Sequence, residues 1–200
     1  CDRAYPLPDT GQIKLYKELK CPLDQFELLL VANKVGKTYP LCPMCYNEPP
    51  FGGNKTSCWD CEHPTCKHGK RAVGVLSCPD EHCRGTICLD VNSAPKWQMD
   101  CNMCNFQIKL FQDQAHKIVV KQDECEECGS RLLEVTFNQK KSPLKDGSLE
   151  RTACVVCDDA FNELVLAGHG QNFRKGKGKG KGKKGKGKGK GKAKKNVDPR

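Results

Sequence analysis

Residues 78–104 read CPDEHC-RGTICLDVNSAPKWQMD-CNMC, with Cys78 and Cys83 closing one tight turn, Cys101 and Cys104 another, and seventeen residues between the pairs. That interval is long enough for one β-hairpin. Four thiolates brought together at the ends of a hairpin can hold one tetrahedral ion, and zinc is its usual occupant.

The same unit recurs upstream. With Asp24 aligned on Cys83, seventeen residues again lead to Cys42 and Cys45. Leu28 then falls on Ile87, Leu30 on Leu89, Asn33 on Asn92, Lys37 on Lys96 and Met44 on Met103. Alternating apolar positions predict a strand, a turn and a return strand in each copy. Cys88 falls on Leu29 and reads as a strand residue, not a ligand. In CPLD, Asp24 takes the place of the second cysteine. Cys21, Asp24, Cys42 and Cys45 therefore make either a site of three thiolates and one carboxylate or a degenerate ribbon without metal.

By the same spacing residues 21–46 form a first ribbon, 58–68 a compact unit and 78–104 a second ribbon. Residues 1–20 read as a connector, and 105–124 as short strands. Residues 125–166 read as a last ribbon with one short helix, N-capped by an aspartate at 158–159. In the compact unit, CWDCEHPTCKH, the residues Cys58, Cys61, Cys66 and His68 offer three thiolates and an imidazole. A rival grouping joins Cys42, Cys45, Cys61 and Cys66 and leaves Cys21 and Cys58 free. In the second ribbon His82 could replace Cys83, although Cys83 fits the repeat. The last ribbon supplies Cys125, Cys128, Cys154 and Cys157, with Leu133, Val135 and Phe137 alternating between the pairs.

Composition agrees with small cross-linked modules. The chain has 200 residues, 16 of them cysteine, and only 6% aromatic content. Units of about thirty residues bury too little apolar surface to stand without disulfides or metal. Repeated C-x2-C spacing favours metal over a disulfide scaffold. The fold class expected is small zinc-stabilised β modules, tandem zinc ribbons with one short helix, holding three to four structural zinc ions.

The charge is divided. Of 34 Lys and Arg, 14 lie in residues 174–200 beside a single acidic residue, Asp198. Residues 1–173 then carry 20 basic and 23 acidic residues. The Lys-Gly segment from Phe173 onward has almost no apolar content, so disorder is expected over 173–200. Arg174, Lys175, Lys177, Lys179, Lys181, Lys183, Lys184, Lys186, Lys188, Lys190, Lys192, Lys194 and Lys195 are the expected contacts to nucleic-acid phosphates. Trp59, Trp97 and Phe106 could add base stacking. No apolar run approaches the roughly 20 residues of a membrane span. No Ser-His-Asp order, phosphate-binding glycine loop or paired carboxylates suggests catalysis.

These strings resemble a known family. KCPLDQFELLL, TYPLCPMCYNEPPF, CWDCEHPTCKH, APKWQMDCNMCN, KSPL and CVVCD are similar to the C-terminal zinc region of eukaryotic DNA topoisomerase III, beta type, in the type IA family. The likeness runs from about Tyr5 to Leu166. It implies a parent enzyme that cuts one strand through a tyrosyl phosphate, with Mg²⁺ in a catalytic core that no residue here matches. It further implies binding of single-stranded DNA and RNA, a nuclear and also cytoplasmic location, and a Tudor-domain partner. Two departures stand out. The 78–83 knuckle is two residues longer than C-x2-C, and the tail is Lys-Gly where relatives carry Arg-Gly-Gly. Lysine lacks the planar guanidinium that stacks and binds phosphate in two places. The competing expectation is a free-standing zinc adaptor that binds proteins, with a basic nuclear-localisation tail.

Overall fold

A computed structural model describes residues 2–9, 11–34, 36–52, 57–170 and 172–175. The expected phosphate contacts from Lys177 to Lys195 lie outside these residues.

Among the described residues, three antiparallel sheets account for most of the chain. The first joins β1 (Gln12–Lys20), β2 (Glu27–Ala32) and β3 (Thr38–Leu41) in that order. The β2–β3 hairpin is the expected one, with Leu29 opposite Leu41 and Val31 opposite Tyr39. Residues 12–20, expected to be connector, pair with β2 instead, Leu15 facing Leu29. An edge strand satisfies backbone groups that a lone hairpin would leave open.

After α1 (Pro43–Asn47), a 3-10 turn (Cys58–Asp60) and α2 (Lys70–Val73), the chain enters a six-stranded sheet. It contains β4 (Gly74–Ser77), β5 (Thr86–Asp90), β6 (Gln98–Cys101) and β7 (Phe106–Leu110). β11 (Val165–His169) and β12 (Asn172–Lys175) complete it, in the order β12-β11-β7-β6-β5-β4. The second ribbon is thus the β5–β6 hairpin within a larger sheet. Phe173, Arg174 and Lys175, expected in a disordered tail, pair with β11.

The third sheet holds β8 (Ala115–Glu124), β9 (Arg131–Phe137) and β10 (Glu150–Ala153). Residues 105–124 are therefore not a unit, because β7 belongs to one sheet and β8 to the next. The short helix is α3 (Asp159–Asn162), and the Asp158 carboxylate accepts a hydrogen bond from Phe161 N at 3.0 Å. Phe161, Leu164 and Val165 are spaced as for a longer helix, but α3 ends at Asn162 and Val165 already belongs to β11.

The modules share a core. One continuous apolar cluster runs from Trp59 through Ile87, Leu89 and Met99 to Val135 and Phe161. Phe111 shows why the second and third sheets stay together. It is fully buried, and its ring meets Phe161 at 4.9 Å and Phe137 at 5.4 Å between centroids. Its backbone is left-handed (φ 50°), as are those of Gln112 and Asp113. Each such residue costs about 1–2 kcal/mol, which aromatic burial of the order of 2–3 kcal/mol per ring offsets at Phe111. The first ribbon has a small cluster of its own, Tyr16, Cys21, Leu28, Cys42 and Cys58.

Candidate metal centres

Each ribbon presents its ligands on turns whose backbone bonding can be compared directly. In the last ribbon Cys125 N donates to Ser130 O at 2.7 Å, and Gly129 N donates back to Cys125 O at 2.8 Å. In the first ribbon Cys21 N donates to Phe26 O at 2.8 Å and Gln25 N to Cys21 O at 2.9 Å. Gly129 and Gln25 are both left-handed, at φ 70° and 59°. The two turns follow the same bonding pattern, and Asp24 stands in its turn where Cys128 stands in the other. In the 78–83 turn Cys78 N reaches Gly85 O at 2.8 Å, two residues further along. Asp80 takes up the extra length, its carbonyl accepting from Cys83 N at 3.0 Å and its carboxylate from His82 N at 3.0 Å. His82 is exposed, and Cys83 is the residue that joins the cluster.

Three groups of four ligands converge among the described residues, Cys78/Cys83/Cys101/Cys104, Cys125/Cys128/Cys154/Cys157 and Cys21/Asp24/Cys42/Cys45, beside one group of three, Asp80/Cys104/His169. Within each, every ligand atom lies within 4.8 Å of the others. Sulfur–sulfur separations are 3.6 Å for Cys78–Cys104 and Cys83–Cys101, 3.5 Å for Cys128–Cys154 and 3.9 Å for Cys21–Cys45. These are free thiols, not disulfides. A tetrahedral ion with metal–sulfur bonds near 2.3 Å places its sulfurs about 3.8 Å apart, so the donor sets fit such an ion.

The chemistry of the sulfurs agrees. Amides point at them: Gly85 N to Cys83 at 3.3 Å, Cys104 N to Cys101 at 3.4 Å, Phe106 N to Cys104 at 3.4 Å and Val156 N to Cys154 at 3.4 Å. Such bonds favour thiolates. Ser130 hydrogen bonds draw Cys128 down to about 6. Neighbouring thiolates cannot all ionise unaided. Burial pushes Cys21 up to about 11 and Cys78 above its usual range. A bound cation removes that conflict. Asp24 is poised as its ribbon's anion. Burial raises its carboxyl, but the Phe26 amide and the three cysteines bring it below the usual carboxylate value.

Residues 58–68 differ. Cys58, Cys61 and Cys66 line one cleft with Cys21, Cys42 and Cys45. Burial raises Cys58, and the charges of Cys66 and Cys42 add to it. His68 is not in that lining. Its ring packs edge-on against Tyr16 at 5.0 Å. Cys58, Cys61, Cys66 and His68 are not drawn into one group among the described residues. The rival set with Cys42 and Cys45 does not form either, because those sulfurs join Cys21 and Asp24. Cys88 is fully buried in β5, packs in the apolar core and joins no ligand group among the described residues.

One neighbour of the second centre was not foreseen. β11 pairs with β7 so that His169 faces Phe106, and His169 Nε2 lies 3.0 Å from Asp80 Oδ2 beside Cys104. No local spacing signals a residue brought in by so distant a strand. The expected stacking aromatics are mostly core. Trp59 and Trp97 are 2% and 7% exposed, and Trp97 Nε1 donates to Ala115 O at 3.0 Å.

Comparison with known proteins adds relatives. The chain is 44% identical over its full length to DNA topoisomerase 3-beta of Arabidopsis thaliana. It is 46% identical over 84% of its length to DNA topoisomerase 3-beta-1 of both Mus musculus and Homo sapiens. It spans only 20–25% of the length of these relatives. No protein-family model matches the chain, and no solved structure does.

Proposed function

Because this chain is a homologue of one part of the DNA topoisomerase 3-beta proteins, we propose that it is the zinc-bearing nucleic-acid grip of a type IA topoisomerase. The observation that carries the reading is the convergence of three ligand groups in a chain of that ancestry. Zinc is the ion that best suits sets of four thiolates, or three thiolates and a carboxylate. The sets have no position open to substrate, so the ions are structural. A fourth ion would need Cys58, Cys61 and Cys66, which line one cleft but do not converge among the described residues, to close around it. Strand cutting and its Mg²⁺ site belong to other parts of the whole enzyme, and this region contributes hold on single-stranded DNA and RNA. A nuclear and also cytoplasmic place of work goes with those substrates, and a Tudor-domain partner would be met through the whole enzyme.

What supports nucleic-acid binding is the placement of charge, with 14 of 34 cations packed into residues 174–200. Cations that neutralise phosphates release counterions, which makes affinity fall steeply with salt. Truncation before Phe173 should flatten the salt dependence of single-strand binding. An unchanged slope would remove the tail from the phosphate contacts. A truncated chain that binds as tightly at all salt concentrations would overturn the charge argument.

A further inference from the structure

Lys37 is a lysine with 7% of its surface exposed, on the hairpin of the first ribbon. Its ammonium does not serve its own ribbon. Nζ donates to the carbonyl of Cys101, and it approaches that of Cys104 at 3.5 Å. It stands 5.8 Å from the centre of the Trp59 ring. Asn33 fixes the approach, since its Oδ1 accepts from Lys37 N at 2.9 Å at the mouth of the hairpin. The same knuckle is held from a second direction. Asn102 Nδ2 donates to Asp60 Oδ1 at 2.7 Å, and Asp60 is fixed by Ser57 Oγ at 2.8 Å. The loop that supplies two sulfurs to the second centre is thus gripped by the first ribbon and by the turn after it.

Burying an ammonium is costly unless it meets opposite charge and good acceptors. Asp100, fully buried nearby, supplies opposite charge, and Lys37 in turn favours its ionised form. A tetrathiolate centre carrying a divalent ion is a second, because it bears a net charge of about −2. We propose that Lys37 is an outer positioning residue of the Cys78/Cys83/Cys101/Cys104 centre, supplied by the neighbouring ribbon, and that it couples metal binding there to docking of the first ribbon. Metal fixes the 101–104 loop and hence the two carbonyls that receive Lys37. By reciprocity, docked Lys37 tightens that metal. Outer partners of this kind are typically worth about 10–100-fold in metal affinity.

The inference rests on the reading of that cluster as a metal centre. It is tested on the whole chain by replacing Lys37 with Met, which keeps the stem, and with Gln, which keeps a donor but not the charge. Zinc release to a chelator and hydrogen exchange across Glu27–Leu41 are followed together. Lys37→Met should release one zinc about tenfold or more faster than wild type and raise exchange in the first hairpin, with Lys37→Gln in between. Cys83→Ser should raise exchange in the same hairpin in wild type and add little in Lys37→Met. Wild-type release rates and hairpin exchange in Lys37→Met would overturn the coupling. Loss of every zinc from Lys37→Met, with Lys37→Gln unaltered, would also overturn it, by making the stem a folding element. If wild type itself holds no zinc that Cys83→Ser removes, the metal reading fails and the coupling falls with it; zinc present at wild-type lability in Lys37→Met refutes the coupling alone.

Discussion

Asp24 Oδ2 lies 3.2 Å from Cys42 Sγ, in the place where the other two ribbons set sulfur against sulfur. A carboxylate binds zinc, but more weakly and more exchangeably than a thiolate. Asp24→Cys should keep the same number of zinc ions and slow release of the most labile one. Asp24→Ala should lose one ion. Native mass spectrometry under a chelator ramp reads both, and full retention by Asp24→Ala would show that the ribbon is degenerate.

Gly85 allows the long knuckle to close. A Cβ there would lie 2.5 Å from Cys101 Sγ and 2.8 Å from Asn102 Oδ1. Gly85→Ala should therefore lose the zinc of that centre. Gly129 is the control, with φ 70° and nothing within 4 Å of the point a Cβ would occupy. Its alanine variant should cost only about 1–2 kcal/mol and keep all its metal. Equal metal content in the two variants would contradict the contact.

The tryptophans test whether the ribbon faces grip bases directly. Trp59 and Trp97 sit in the core. Trp97→Phe should lower thermal stability through loss of the Nε1 bond, a cost of about 1 kcal/mol, and leave strand affinity essentially unchanged. A large affinity loss at unchanged stability would return these rings to the binding surface.

A buried carboxylate pair gives the fold a pH signature. Burial, and then the charge of Asp100, pushes Asp90 up to about 6, and burial does the same for Asp100. Between the unfolded value of about 4 and the folded value, the native state binds more protons than the unfolded chain. Its stability therefore falls as pH rises through that window and levels off above it. Asp90→Asn, which keeps an acceptor for Asn92 N, should gain on the order of 1–2 kcal/mol at about pH 7. It should gain little at about pH 4. Comparing variant and wild type at each pH cancels the acid release of metal common to both.

The readable parts of this chain were those fixed by short-range spacing. The 21–45 and 78–104 repeat predicted both hairpins, both second knuckles and the exclusion of Cys88 as a ligand. Alternation at Leu133, Val135 and Phe137 predicted β9, and Asp158 predicted the cap of α3. What was not legible came from pairing between distant strands. Nothing near Gln12 says that β1 will edge the first sheet, and nothing near Val165 says that β11 will lie beside β7 and carry His169 to Asp80. Lys37 aligned with Lys96 as a turn residue, yet its role is set by another ribbon's carbonyls. Independent modules were expected because each cysteine unit is small. The shared core arises because Phe111, Phe137 and Phe161 pack on one another across unit boundaries.

The proposed function turns on structural zinc in the three four-ligand groups. Metal analysis of the purified whole chain tests it most directly. Three to four zinc ions per chain are predicted, three from the converged groups and a fourth only if Cys58, Cys61 and Cys66, which line one cleft, close around an ion. One ion or none would contradict the account.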